Sequence, residues 1–114
     1  MDKASKTYLF LKRSAAGWVD TPFRKQVYRE WIEEKTDNFP TFPEELRSVA
    51  LEAIVMEDTS WVRRGLSALE VVGKKEDIQT IVPLLDHTDP DVAKDTRSCL
   101  FELEHRPSCR SNND

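Results

Sequence analysis

Residues 60–103 have the sequence SWVRRGLSALEVVGKKEDIQTIVPLLDHTDPDVAKDTRSCLFEL, and this stretch decides the fold. Apolar residues recur in it at helical spacing, and turn residues interrupt the pattern twice. It therefore predicts a helix, a turn, a second helix, a turn and a third helix. The apolar spacing elsewhere is also helical, and glycine is scarce, with three residues. Because no stretch alternates apolar and polar residues for long, we expect an all-α protein.

Start and stop signals place six helices along the chain. Thr21 and Asp89 are predicted N-caps, each followed by a proline that suits the first helical position. Gly17 and Gly73 are predicted to end the helices before them. Thr41 with Glu44 has the spacing of a capping box. The predicted helices span about residues 4–16, 22–37, 44–56, 60–72, 76–86 and 90–105.

The apolar stripes predict which residues are buried. In the second helix we expect Phe23, Val27 and Trp31 to face inward, flanked by Tyr28 and Ile32. Pro83 is expected to kink the fifth helix or to mark its true start. Three further aromatic residues are assigned to the core or to the joint after the second helix: Phe39, Phe42 and Phe101. The stripes of the third and last helices comprise Leu46, Val49, Ala50, Ala53 and Ile54, and Val92, Thr96, Cys99, Leu100 and Leu103.

The last helix repeats the fourth at an offset of about thirty positions. Setting Val62 on Val92 also sets Thr59 on Asp89, both as caps, Leu66 on Thr96 and Leu69 on Cys99. The helices before them align at a similar offset, which pairs Leu46 with Ile78, Val49 with Ile81, Ala50 with Val82 and Ala53 with Leu85. Each unit is thus a helical hairpin that buries its apolar stripe only by stacking on a neighbour.

These residues carry a resemblance to a known family. The segment Leu84–Val92 and the helix start at Trp61-Val62-Arg63-Arg64 resemble the junctions of short HEAT-like repeats, of the variety named from phycobilisome lyases. The resemblance covers about residues 43–106. It implies a short α-solenoid of helical hairpins that binds partners along its helical faces. It also implies that Arg63 pairs with an aspartate of a neighbouring turn: Asp58, Asp89 or Asp91.

We expect one domain over residues 1–114, with an N-terminal helical pair (1–37) as a cap, repeats (43–106) and a frayed polar tail (107–114). The net charge of -4 argues against a nucleic-acid binder and allows a basic protein partner. The apolar run Tyr8–Leu11 is too short for a signal-peptide core, and no run has the length of a membrane helix. These features predict a cytoplasmic protein. Two cysteines do not make a disulfide framework.

One residue stands out as a candidate binding residue. Trp61 aligns with Asp91, a position that we expect to face solvent, so its indole either packs on the N-terminal helices or anchors a partner. Charged side chains complete the predicted partner-binding set, which comprises Trp61, Arg64, Asp91, Lys94 and Arg97.

Two groups of residues suggest chemistry, and for each we favour a structural role. His87 lies among carboxylates in the segment 86–91, a pattern that we interpret as a turn and a helix cap. Cys99, His105 and Cys109 could ligate zinc, but Cys99 falls on the inward stripe and a fourth ligand is missing. We therefore predict no catalytic residue, no metal site and no cofactor.

The sequence favours a non-enzymatic protein-binding module, either an adaptor or an inhibitor of the immunity type. A bilin-lyase-like enzyme or accessory is the alternative, and it predicts a pocket of tetrapyrrole size. A nucleic-acid-binding repeat is a further alternative, and it requires a continuous basic face. So few repeats bury a limited core, which allows a homodimer to cover the remaining apolar surface.

Overall fold

A computed structural model describes residues 6–13 and 21–106 of the chain. Over these ranges the regular structure is helical throughout, as the spacing predicted. Gly17, the predicted end of the first helix, lies outside the described residues. The α-helices are α1 (Lys6–Arg13), α2 (Pro22–Asn38), α3 (Phe42–Ala53), α4 (Thr59–Val72), α5 (Ile78–Ile81) and α6 (Pro90–Glu104).

The helix α2 begins as predicted and buries a different face. Thr21 Oγ1 accepts the backbone N–H of Arg24 at 3.1 Å, and Pro22 follows in the first turn. The buried residues are Tyr28 and Ile32, whereas Phe23 is 77% and Trp31 41% exposed. The prediction that Phe23 and Trp31 face inward was therefore wrong. Apolar residues cover too wide an arc of α2 for its neighbours to bury all of them.

An aromatic cluster joins α1, α2 and α3. The rings of Phe10 and Tyr28 meet edge to face with centroids 5.6 Å apart, and Phe10 meets Phe42 in the same way at 5.3 Å. Phe42 is buried in the joint, as expected, but Phe39 is exposed. Edge-to-face pairs of this kind stabilise packing beyond the area that they bury.

The predicted stripe of α3 is confirmed, but its predicted capping box was wrong. All five stripe residues are buried. Thr41 lies in a turn, with φ -87° and ψ 3°, and its hydroxyl donates to Glu45 Oε2 at 2.6 Å instead of accepting a backbone N–H. The first turn of α3 therefore has no side-chain cap from Thr41.

A close approach between α3 and α4 depends on Gly65. A Cβ at this position would lie 2.8 Å from the backbone oxygen of Ala50 and 2.8 Å from Ile54 Cγ2. Only a hydrogen fits there, so the two helix backbones pack nearly in contact. α4 also packs against α1 and α6, which makes it the central helix of the described residues.

Aspartates cap both α4 and α6. Asp58 Oδ1 accepts the N–H of Ser60 at 2.9 Å, and Asp89 Oδ1 accepts the N–H of Asp91 at 2.8 Å. The prediction of Asp89 as the cap of α6 is confirmed. Thr59 was also predicted as a cap, but it is the first residue of α4, and Asp58 is the cap. The offset between the caps Asp58 and Asp89 is therefore one residue longer than the offset between the buried residues Val62 and Val92.

The segment predicted as a helix over 76–86 is broken. It forms a 3-10 turn at Lys75–Asp77, the single α-turn of α5, and a second 3-10 segment at Val82–Asp86. Pro83 has no N–H to continue α-helical hydrogen bonding, which explains the change. Ile81 is buried as predicted, but Val82 and Leu85 are exposed, so their alignment with buried alanines of α3 was wrong.

In α6 the predicted inward stripe is confirmed, because all five of its residues are buried. The hydroxyl of Thr96 donates to the carbonyl of Val92 at 2.7 Å, which satisfies a polar group in an otherwise apolar stripe. Phe101 is 61% exposed, so its assignment to the core was wrong.

Two arginine–aspartate pairs join segments about thirty residues apart. Arg47 on α3 donates Nε to Asp77 Oδ2 at 2.8 Å and Nη2 to Oδ1 at 2.6 Å. Arg63 on α4 donates Nε to Asp95 Oδ2 on α6 at 2.7 Å. The partner of Arg63 is therefore none of the three aspartates that the resemblance implied. α4 and α6 pack side by side, which brings Arg63 beside Asp95 in the second turn of α6.

Candidate functional site

The predicted binding residues of α4 form a local pair. Trp61 is half-buried and packs on the core, and the guanidinium carbon of Arg64 lies 5.2 Å from the centroid of its ring. Arg64 Nη1 also donates to Ser60 Oγ at 3.3 Å. This cation–π contact holds Arg64 along the helix surface. Both readings of Trp61, packing and partner anchoring, are compatible with its half-buried position.

The remaining predicted residues lie on α6. Asp91, Lys94 and Arg97 are all exposed and follow each other at three-residue spacing, so they share one side of the helix. The structure therefore pairs Trp61 with Arg64 on α4, and it places Asp91, Lys94 and Arg97 together on one side of α6. Arg63 and Asp95 make the ion pair between the two helices.

The candidate chemical residues have structural roles. His87 Nδ1 accepts the N–H of Asp89 at 3.0 Å, which fixes the turn before α6. Cys99 is fully buried, and burial together with Glu70 raises the pKa of its thiol. Cys109 lies outside the described residues. Within residues 6–13 and 21–106, no three potential ligands are grouped to hold a metal ion.

An exposed groove lined by aromatic residues lies between α1, α2 and the start of α3. Its volume is about 530 Å³. We call it the aromatic groove, and it is lined by Leu9, Phe10, Arg13, Trp31, Glu34, Lys35, Phe39 and Phe42. Leu9, Trp31 and Phe39 keep large exposed fractions there. Apolar surface of this kind, edged by charged residues, is typical of ligand and partner sites.

The outer face of α2 is acidic. Glu30, Glu33, Glu34 and Asp37 are all exposed, and their spacing of three and four residues places them on one side of the helix. We call these four residues the acidic stripe. Glu34 belongs to both the stripe and the groove, so the two surfaces are continuous.

A second, polar cleft separates the start of α2 from α6. Its volume is about 310 Å³, and Lys25, Arg29, Ser98 and Glu102 are among the residues that line it. Lys25 Nζ lies 3.0 Å from Glu102 Oε2, and Arg29 Nη2 lies 3.4 Å from Glu102 Oε1. We call this region the polar cleft. Ion pairs thus join the first turns of α2 to α6.

A buried carboxylate contacts this network from α4. Glu70 is 2% exposed, accepts the hydroxyl of Ser98 at 3.0 Å and lies 3.5 Å from Lys25 Nζ. Burial raises the pKa of Glu70 to about 7, although Lys25 and Ser98 favour its charged form. The guanidinium of Arg106 donates to the backbone carbonyls of Glu70 and Gly73, which ties the end of α6 to the end of α4.

Sequence reasoning missed both the groove and the cleft, although signals for each were present. At the thirty-position offset, Glu70 aligns with the core residue Leu100. This alignment indicates that the carboxylate of Glu70 is buried. The wide apolar arc of α2 indicated that some of its aromatic residues would remain exposed.

Residues 6–13 and 21–106 contain no helix long and apolar enough to cross a membrane. Comparisons of the chain with protein-family models, with curated proteins and with solved structures found no match.

Proposed function

We propose that the chain is a non-enzymatic protein-binding module of the adaptor or inhibitor type, and that its partner docks in the aromatic groove. The carrying observation is the exposure of Leu9, Trp31 and Phe39 around one cavity of about 530 Å³. Aromatic residues concentrate binding energy when a partner excludes water from them. A partner side chain inserted between Trp31 and Phe39 would exclude water from both rings.

The acidic stripe selects the charge of the partner. Glu30, Glu33, Glu34 and Asp37 form a negative edge beside the groove, and complementary charge on a partner speeds association and fixes orientation. The occupant is therefore a protein segment with an aromatic or aliphatic anchor followed by Lys or Arg residues. Arg13 and Lys35 at the groove favour an acidic residue or a chain carboxylate close to that anchor.

The scaffold that we propose for this site is a short HEAT-like stack with α1 and α2 as its cap. Three observations support it: the packing of α3 on α4 and of α6 on 82–86, the matching burial of Val62 with Val92, and the Arg47–Asp77 and Arg63–Asp95 pairs. The proposal includes a cytoplasmic location and one domain over residues 1–114.

A second candidate function is binding of an apolar organic anion such as a bilin. The volume of the aromatic groove lies in the range of small-molecule sites. Arg13 and Lys35 at its rim are suited to carboxylates. Titration with biliverdin distinguishes the two: a shifted absorption band lost in Trp31→Ala supports the pigment, and an unchanged spectrum removes it.

Selection from a library of random displayed peptides tests the proposed function. The bait is the full chain, and the counter-selection bait is Trp31→Ala. The expected result is enrichment of peptides that combine one aromatic or large aliphatic residue with Lys or Arg. Charge reversal at Glu33 should weaken their binding, and more so at low salt. Failure to enrich any peptide, or enrichment of peptides that bind both baits equally, would overturn the groove as the docking site.

The same selection compares the two candidate faces. A Trp61→Ala bait alters the α4 pair and leaves the aromatic groove intact. Peptides that lose binding only to Trp61→Ala would assign the partner to Trp61, Arg64, Asp91, Lys94 and Arg97. Sedimentation at high concentration distinguishes a homodimer, because a self-associating groove would lose its dimer in Trp31→Ala.

A further inference from the structure

The start of α2 is joined to the rest of the molecule by charged groups. Lys25 contacts Glu102 on α6 and Glu70 on α4, and Arg29 contacts Glu102. A cleft of about 310 Å³ opens between α2 and α6 at this point. Attachment through ion pairs around a cleft is weaker and more sensitive to protons and salt than apolar packing. By contrast, the middle of α2 is held by the buried residues Tyr28 and Ile32.

The charged form of Glu70 is poorly solvated in the closed arrangement. Its carboxylate is 2% exposed, and burial raises its pKa to about 7. Hydration of the carboxylate requires an opening, and the cleft provides one if the first turns of α2 move away. An opened state solvates the carboxylate and so lowers its pKa towards the ordinary value. By linkage, proton loss then favours the opened state and proton uptake the closed one.

Charged and polar groups of α2 and of the α6 region contribute to this balance. α2 provides Lys25, which favours the charged form of Glu70, and Arg29, which contacts Glu102. α6 provides Ser98, which donates a hydrogen bond, and Glu102, whose negative charge opposes ionisation. Cys99 is buried on the same helix and remains a neutral thiol. Arg106 donates to the backbone carbonyl of Glu70. Burial and Glu102 together outweigh the attraction of Lys25.

We propose that Glu70, Lys25 and Glu102 form a proton-controlled latch that closes the first turns of α2 onto α4 and α6 when Glu70 is protonated. The latch regulates the aromatic groove, because one continuous helix, Pro22–Asn38, carries Lys25 near one end and Trp31 and Lys35 in the groove. This regulatory role rests on the proposed function, whereas the latch itself does not. The first turns of α2, and with them the groove, are held most firmly in acid, and they loosen progressively as the pH rises to neutrality, with little further change above it.

Hydrogen exchange of the α2 amides, expressed as protection factors, tests the latch without any partner. We expect the protection of the first two turns of α2 to fall about tenfold between about pH 6 and about pH 8.5, while α4 stays protected. Glu70→Gln should keep high protection at both values. Glu104→Gln is the matched control, because it removes one exposed charge from α6, and it should behave as wild type.

Lys25→Met provides a second readout. Without the ammonium group the midpoint of the protection change should shift to higher pH, because Lys25 lowers the pKa of Glu70. Protection that does not change with pH in wild type, an equal fall in Glu70→Gln, or a midpoint unmoved in Lys25→Met would each overturn the latch. Groove peptides that bind equally at both pH values would overturn its control of the groove. Absence of peptide binding at every pH would overturn the proposed function and leave the exchange result for the latch standing.

Discussion

Lys25 on α2 lies 3.5 Å from Glu70, a carboxylate on α4 that is 2% exposed. The pair joins a helix of the aromatic groove to the central helix of the fold. Lys25 is shared between two carboxylates, because its Nζ lies closer to Glu102, at 3.0 Å, than to Glu70. A buried carboxylate shared in this way weakens the fold when it is charged, because the ammonium group does not fully replace lost hydration.

We predict that the free energy of unfolding decreases as the pH rises through neutrality. The folded-state pKa of Glu70 is about 7 and its ordinary value is 4.5, so the folded chain holds a proton that the unfolded chain has released between these values. The contribution is fully present below pH 4.5 and is lost as the pH rises through about 7. Its size is about 3 kcal/mol, at about 1.4 kcal/mol per pKa unit.

Urea unfolding at several pH values measures this contribution. Glu70→Gln should flatten the pH dependence and be more stable than wild type above neutral pH by about 2 kcal/mol. Glu104→Gln, which changes an exposed residue, should retain the wild-type slope. An identical slope in wild type and Glu70→Gln would show that Glu70 does not titrate in this range.

Substitution of Gly65 tests the contact between α3 and α4. Gly65→Ala should destabilise the fold by about 1–3 kcal/mol, although alanine favours helices, because its Cβ would overlap the backbone oxygen of Ala50. Ser48→Ala at an exposed position of α3 is the control, and it should have little effect. Thermal unfolding of both variants measures the difference. A Gly65→Ala protein as stable as wild type would mean that the two helices are further apart than described.

The Arg47–Asp77 pair should be more strongly coupled than Arg63–Asp95. Arg47 contacts its aspartate through two nitrogens and Arg63 through one. A double-mutant cycle with Arg47→Met and Asp77→Asn should give a coupling of about 2 kcal/mol, and the cycle for Arg63 and Asp95 about 1 kcal/mol or less. Equal couplings would contradict the bidentate geometry.

The same pair should respond to acid. Burial raises the pKa of Asp77, but hydrogen bonds from Arg47 and the Lys74 backbone outweigh it and hold this pKa below its ordinary value of 3.8. A lowered pKa stabilises the fold above the ordinary value, and this stabilisation is lost as the pH falls through the folded one. The Arg47–Asp77 coupling should therefore vanish only in strong acid.

Cys99 should be chemically inert while the chain is folded. It is fully buried, so reagents in solvent do not reach its sulfur. Burial also raises the pKa of its thiol, so the reactive thiolate is scarce near neutral pH. In Cys109→Ser, where Cys99 is the remaining cysteine, a thiol reagent should react only after denaturant is added. Rapid reaction of the native protein would contradict its burial.

Periodicity predicted the buried faces of α3 and α6 because each carries one apolar stripe. It failed for α2, where apolar residues at Phe23, Trp31, Tyr28 and Ile32 span two faces and the choice depends on neighbouring helices. It also failed at Pro83, since a proline in a helical pattern permits either a kink or a change of helix type. Local signals do not decide between such outcomes.

The candidate sites depend on contacts between distant parts of the chain. The alignment of Glu70 with Leu100 at an offset of thirty positions indicates a carboxylate at a buried position, but its neighbour Lys25 lies on another helix far along the chain. The aromatic groove likewise requires the relative placement of α1 and α2. In the same way, helix spacing brought Arg63 to Asp95 and not to the turn aspartates that the resemblance implied.

Titration calorimetry with a peptide selected on the wild-type chain tests the central claim, that the aromatic groove binds a protein partner. Wild type, Trp31→Ala and Trp61→Ala would be compared at one pH, after circular dichroism shows that all three are folded. We expect Trp31→Ala to weaken the affinity at least about tenfold, which is about 1.4 kcal/mol, and Trp61→Ala to bind as wild type. Equal affinity for wild type and Trp31→Ala, or a loss confined to Trp61→Ala, would contradict the groove as the binding site.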